Sequence, residues 1–269
     1  MKGNMMNWGL TIPQAILHAE KYNVDGQLIS RELDGSINST TYGESIKRSK
    51  RLANALTKLG VKTHDRVATI AWNNSRHFET YFAVSGMGAI LHTLNPRYSP
   101  DQLIYILNHA EDSVLIIDPT FIPLVESVQD KLDTVKTIII ASSKDAIPEN
   151  NLNNPLSYEE LINDELDEFD WPEMAEDDAA SLCYTSGTTG RPKGAMITHA
   201  NVKSNAITLS KYWKWTKEDV LLHALPIFHI HGLFVAGHLP VMNGSPIIFC
   251  EHFHPKQVIL SLPKSTVYM

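Results

Sequence analysis

The run Tyr184-Thr-Ser-Gly-Thr-Thr-Gly-Arg-Pro-Lys-Gly194 concentrates groups suited to holding phosphate. Gly187 and Gly190 permit unusual torsions and a close backbone approach, which exposes amide donors. Thr185, Ser186, Thr188 and Thr189 add hydroxyls that can wrap phosphate oxygens, and Lys193 adds a positive charge. Pro192 stiffens the approach to that lysine. The run is not a Walker A loop, because Pro192 stands where the pattern needs its second glycine. A bland Gly/Thr-rich surface turn does not account for hydroxyls, glycines and a lysine gathered between two ordered elements. The reading places a hydrophobic strand, SLCYTS, before the loop and a helix after it.

Histidine supplies the second concentration of chemistry. Six of the 12 histidines lie between His223 and His254, including His229-x-His231 and His252-x-His254. On a strand such pairs share one face and could ligate zinc, but neither a cysteine pair nor a helical His-E-x-x-His accompanies them. Cys183 and Cys250 have no metal-ligand spacing and form no disulfide framework, which favours a reducing compartment. Cys183, within an apolar strand, reads as a packing residue. Trp213 and Trp215 read as core or interface aromatics near a helix end.

The elements that must position these groups alternate in period. Ile46, Leu52, Ala53, Leu56 and Leu59 share a helical face, with Gly60 to close the helix. RVATIAW (Arg66 to Trp72) is β-rich, Ser75 can cap the next helix, and AILHTL (Ala89 to Leu94) follows. Ser99-Pro100 opens another helix in the favoured order. SVLIID (Ser113 to Asp118), a helix over Phe121 to Leu132 and VKTIIIA (Val135 to Ala141) continue the alternation. Nearly continuous apolar strands separated by helices imply an α/β fold of mostly parallel sheets covered by helices. Residues 143–178 read as an acidic surface excursion with a short helix near Tyr158 to Ile162.

The chain has 269 residues, 43% hydrophobic and 20% charged, enough for a sizeable core. Net charge is −7, yet 13 acidic residues and no lysine or arginine fall between Asp145 and Gly190, leaving the remainder mildly basic. No concentrated basic face suggests a nucleic-acid partner, and KRSKR (Lys47 to Arg51) reads as the solvated face of a helix. No apolar run of membrane-spanning length or secretory leader is evident, so the expectation is a cytoplasmic protein with no transmembrane segment.

At Tyr184 to Gly194 the sequence resembles the AMP-forming acyl-CoA synthetases and other adenylate-forming enzymes, whose loop reads YTSGTTGxPKG. LPIFHIHGL (Leu225 to Leu233) is similar to the family segment beside the acyl pocket. The resemblance divides: residues 6–199 look like medium- and long-chain fatty acyl-CoA synthetases, residues 219–269 like malonyl-CoA synthetases.

The resemblance implies residues 6–269 as a partial AMP-binding domain of the adenylate-forming fold, without the family's small carboxyl-terminal domain. It implies ATP, Mg²⁺ and CoA, with a carboxylic acid passing through an acyl-adenylate to a thioester. Thr185, Ser186, Gly187, Thr188, Thr189 and Gly190 would cradle ATP phosphates, and Thr185 would help hold Mg²⁺. Lys193 would steady the pyrophosphate side, while Phe228 and His229 would border the acyl or adenylate pocket. A fatty acid is the expected substrate, malonate the alternative, and a non-catalytic ATP-binding remnant the competing class. The strand-like STVYM (Ser265 to Met269) carries the further expectation of an interrupted domain that aggregates or stays partly molten in isolation.

Overall fold

The computed structural model describes residues 9, 11–31, 35–185 and 191–269. In chain order the elements are α1 (Ile12–Tyr22), β1 (Gln27–Arg31), β2 (Ile37–Thr41), α2 (Tyr42–Lys58), β3 (Arg66–Ile70), α3 (Ser75–Gly86) and β4 (Ile90–Thr93). Then come α4 (Pro100–Ala110), β5 (Asp112–Ile117), α5 (Ile122–Glu126), β6 (Thr137–Ile140), β7 (Leu156–Ser157), α6 (Tyr158–Asn163) and β8 (Ala179–Thr185). The last are β9 (Lys193–Thr198), α7 (His199–Tyr212), β10 (Leu221–His223), α8 (Gly237–Asn243), β11 (Ile247–Phe249), α9 (Pro255–Ser261) and β12 (Val267–Tyr268).

Two sheets form. One runs β7-β6-β5-β3-β4-β8-β9, the other β12-β10-β11-β1-β2. Among the described residues every pairing is parallel except β1–β2 and β8–β9. The apolar strands of the larger sheet are buried on both faces, and their side chains divide by alternation. Val67, Val114, Ile116 and Ile139 join a core shared with α1, α2, α3, α8 and the second sheet. Ala68, Ile70, Leu115, Ile117, Ile138 and Ile140 join a separate core beneath α4 and α5.

Local signals account for most element ends. Ser99 and Gln102 form a reciprocal capping box at the start of α4, with Pro100 in the first turn. Gly60, at φ +89°, turns the chain out of α2. Three expectations change. Asn74, not Ser75, caps α3, its side chain accepting from the His77 amide. The helix expected over 121–132 reduces to α5 flanked by 3₁₀ turns, with Pro119 and Pro123 each in the first turn of its element. The segment 143–178 is more than solvated surface: β7 pairs with β6, Tyr158 is fully buried, and Phe169 and Trp171 pack on the main core.

The basic run on α2 also departs from a solvated face. Arg48 bonds to Glu79 through Nε at 2.9 Å and to both oxygens of Glu159 at 3.0 and 2.9 Å. Arg76 reaches Glu159 at 2.6 Å, and the Tyr158 hydroxyl donates to Glu79 at 3.0 Å. This network binds α2, α3 and α6 together around the buried Glu79 carboxylate. Arg48→Ala should lower stability by about 3–5 kcal/mol, because Glu79 then stays buried and uncompensated. In urea unfolding at neutral pH, Arg48→Met combined with Glu79→Gln should recover most of that loss. A double variant no more stable than Arg48→Ala would refute the assignment.

Candidate functional site

The larger sheet has a topological switch. From β3 the chain moves one position to β4, then back past β3 to β5, so the connections leave on opposite faces. The crevice at the carboxyl ends of such strands is where open α/β sheets bind ligands. The turn after β3, Thr93 at the end of β4 and Thr185 at the end of β8 lie along this edge.

The 225–231 segment is tied to the same edge. Asn73 donates through Nδ2 to the Leu225 carbonyl at 2.7 Å and accepts the Ile227 amide at 2.8 Å. Thr93 donates to the Phe228 carbonyl at 2.8 Å, and its Oγ1 lies 3.6 Å from the Cys183 sulfur on β8. Phe228 is half-buried, while His229 and His231 are exposed. The His231 amide donates to His229 Nδ1 at 3.3 Å, which leaves the ring proton on Nε2. His229 thus presents an N–H donor rather than a base at that nitrogen.

The expected strand-loop-helix is a strand-loop-strand. β8 and β9 pair antiparallel with Thr185 opposite Lys193 and Tyr184 opposite Gly194, and α7 begins only at His199. The cap residues explain the start, since Thr198 and Asn201 form a reciprocal capping box there. Ser186, Gly187, Thr188, Thr189 and Gly190 lie outside the described residues. Thr185 and Lys193, exposed at the paired strand ends, flank them.

Packing accounts for two positions of the motif. A Cβ on Gly194 would come within 2.8 Å of Leu182 and 3.2 Å of the Tyr184 ring, so glycine admits the cross-strand tyrosine. The Tyr184 phenol, pushed up to about 12 by burial and by nearby Asp112, keeps its proton and bonds with His109 at 2.6 Å. Tyr98 donates to the Tyr184 carbonyl at 3.1 Å, and the Arg191 guanidinium lies 5.1 Å from the Tyr105 ring centroid. The segment around α4 therefore braces both arms of the hairpin.

Residues 18–265 match the model of the AMP-binding enzyme family. The chain belongs to that family. It is 41% identical over 252 residues to the 3-methylmercaptopropionyl-CoA ligase of Ruegeria lacuscaerulensis, covering 91% of this chain and 47% of that protein. It is 37% identical over 234 residues to the medium-chain-fatty-acid–CoA ligase of Ectopseudomonas oleovorans, with 86% and 43% covered. Its fold matches ATP-bound MatB from Rhodopseudomonas palustris with a TM-score of 0.79 at 30% identity, over 96% of this chain and 49% of that one. The chain spans about half the length of the curated relatives it matches. Among the described residues no helix is long and apolar enough to cross a membrane.

Sequence reasoning missed the residues that hold this edge together: Asn73, Thr93, Tyr98, His109 and Gly232. Gly232 lies in a π-helical turn, His231–Ala236, where a Cβ would stand 2.2 Å from the Pro226 carbonyl oxygen. Its own carbonyl bonds with His223 Nε2 at 2.8 Å. The glycine inside LPIFHIHGL was the available signal, since nothing in a helical pattern otherwise calls for it. Gly232→Ala should cost about 1–3 kcal/mol in urea unfolding, because rigid backbone rather than a flexible side chain opposes the new methyl. The amide resonances of 225–229 should move with it; unchanged stability and resonances would show that the turn tolerates the methyl.

Burial lowers His77, His199, His223 and His238 from 6.5 to about 4 each, so all four are neutral in the folded protein at pH 7. The unfolded chain takes up these protons first as pH falls, so stability is full above about 6.5 and drains down to about 4. Each group contributes a slope of up to ~1.4 kcal/mol per pH unit in that window. Urea midpoints measured from pH 7 to 4 should fall steeply, and less steeply in His77→Gln. A flat profile would mean that these rings are not held neutral.

Proposed function

We propose that the chain is the nucleotide-binding part of an AMP-forming acid–CoA ligase. The observation that carries this reading is the β8–β9 hairpin, which returns Thr185 and Lys193 to one point on the edge that also carries the Phe228–His229 turn. In the first half-reaction a carboxylate oxygen attacks the ATP α-phosphorus and pyrophosphate leaves, giving an acyl-adenylate. In the second, the CoA thiol attacks the acyl carbon, loses its proton, and AMP departs.

Both anions approach each other in the first step, so screening and positioning dominate the barrier. In this reading the 185–190 hydroxyls and amides cradle the phosphates, Lys193 neutralises charge on the pyrophosphate side, and His229 Nε2–H donates to an oxygen of the acid or adenylate. Thr185 offers one hard oxygen donor. Among the described residues no three His, Cys, Asp or Glu side chains are grouped to hold a metal ion. That donor suits Mg²⁺ carried in by nucleotide phosphates, where it would supply further charge neutralisation. ATP and CoA as substrates, with two free and buried cysteines, favour a cytoplasmic setting.

We assign a fatty acid as the substrate class, with malonate as the alternative. A dicarboxylate needs a cation for its second carboxylate. Residues 201–269 contain no arginine, and Lys203 is already paired with Glu176 at 2.7 Å. Residues 6–199, the longer region of resemblance, also favour the fatty acid.

ATP titration and pyrophosphate release with octanoate or malonate test both parts. ATP should bind, and Lys193→Ala should weaken that binding about tenfold or more, as expected for a charge-assisted phosphate contact. Binding without pyrophosphate release would support a non-catalytic nucleotide-binding module. Release that prefers malonate would overturn the fatty-acid assignment. Unchanged ATP affinity in Lys193→Ala would remove that lysine from the site.

A further inference from the structure

A cleft lies on the outer face of the smaller sheet, between α9 and the strands β1, β2 and β11. It has a volume of about 200 Å³, and none of its lining residues belongs to 184–194 or 225–231. Alternation decides which side chains floor it. Leu28 and Ile247, paired across β1 and β11, enter the main core, so Ile29 and Ile248, likewise paired, face the other way. Arg31 and its cross-strand partner Ile37 share that outer face. Opposite them, Gln257, Leu260, Ser261 and Lys264 recur at helical spacing along α9 and the 3₁₀ turn Leu262–Lys264.

Two cations overlook this apolar floor. Among the described residues neither Arg31 nor Lys264 enters an ion pair, and no lining residue is acidic. Arg31 gives one N–H donor to the Gly35 carbonyl at 2.9 Å, which leaves the rest of its fork uncommitted. Its charge reaches into the cleft. Burial raises the thiol of Cys250, another lining residue, and the Arg31 guanidinium opposes that rise. Arg31 is half-buried and Lys264 exposed, so a ligand can touch both.

The apolar part of the site is also accessible. Ile37 is 58% and Leu260 65% exposed, so an apolar body laid between them removes their surface from water. An apolar cavity of ~150 Å³ holds benzene, so this cleft has room for roughly eight non-hydrogen atoms. With so little room, a carboxylate leaves more of the cleft for apolar contact than a bulkier phosphate does, and it matches the arginine fork.

We propose that this cleft binds a small amphipathic carboxylate, its apolar body against Ile29, Ile37, Ile248 and Leu260 and its headgroup between Arg31 and Lys264. The proposal stands apart from the ligase reading, since the two sites share no residue.

Hexanoate fits that room, and hexanamide is its uncharged counterpart of the same shape. Titrated into the whole chain at neutral pH, hexanoate should produce saturable shifts of the Ile29, Ile248 and Leu260 methyl resonances. It should bind about tenfold or more tightly than the amide, the factor expected for a charge-assisted contact. Arg31→Gln combined with Lys264→Gln should erase that difference. Lys264→Gln alone, at an exposed position, should reduce it and serves should the double variant not fold. Ser261→Trp should abolish binding of both probes by filling the cleft from α9, while ATP titration stays unchanged. Absence of a saturable shift, shifts confined to 225–231, or equal affinity for the two probes in the unaltered protein would each overturn the proposal. Hexanoate binding indifferent to Lys264→Gln or to Ser261→Trp would do the same.

Discussion

One asparagine joins the carboxyl edges of the two sheets. The Asn73 backbone amide donates to the Glu251 carbonyl at 3.0 Å, just beyond β11, while its side chain holds Leu225 and Ile227, just beyond β10. Asn73 itself follows β3 of the larger sheet. Three strand ends from two sheets therefore meet on one residue that is 1% exposed. A neutral hydrogen bond contributes only about 1 kcal/mol net, but a buried backbone group left without its partner is disfavoured by about 1–3 kcal/mol. The register between the sheets is set by that penalty more than by the strength of any one bond.

The edge on which Asn73 sits is stiffened from below. Asp118, at the end of β5, accepts the Trp72 amide at 2.7 Å and the Asn74 side chain at 3.2 Å. Asn74 in turn caps α3, and the His77 ring bridges the Trp72 carbonyl at 3.1 Å and the Thr69 hydroxyl at 3.0 Å. Each polar group in the turn after β3 thus serves a neighbour on another element. Such a fully connected network specifies one geometry, since shifting any member orphans the next. The 225–229 turn inherits that geometry through Asn73 and Thr93.

The sequence disclosed the layers well and the joints poorly. Apolar runs such as LIID at 115–118 and TIII at 137–140 announced strands covered on both faces, because continuous burial leaves a compositional trace. Gly60 and Ser99-Pro100 marked helix ends through local torsion and capping, which need no knowledge of distant residues. Asn73 and Thr93 left no such trace: their partners lie 152 and 135 residues away. The role of Arg48 is hidden for the same reason, since Glu159 stands 111 residues off. The 184–194 motif is conspicuous through its composition, yet the strand that follows it, ahead of the helix, is not. Lys193 to Thr198 is short, with lysine and threonine at its ends and glycine second, and only its pairing with β8 makes it a strand.

That pairing also fixes the geometry of the hairpin. Thr185 opposite Lys193 fixes both ends of the intervening chain before anything binds. Beneath Tyr184, whose ring centroid lies 5.1 Å from that of His92, the fully buried His92 and Asp112 side chains bond at 2.7 Å. Such a pair adds little net stability but strongly resists loss of either partner, so the floor under the hairpin has few alternatives. Paired arms over a packed floor therefore hold Thr185 and Lys193 in one arrangement.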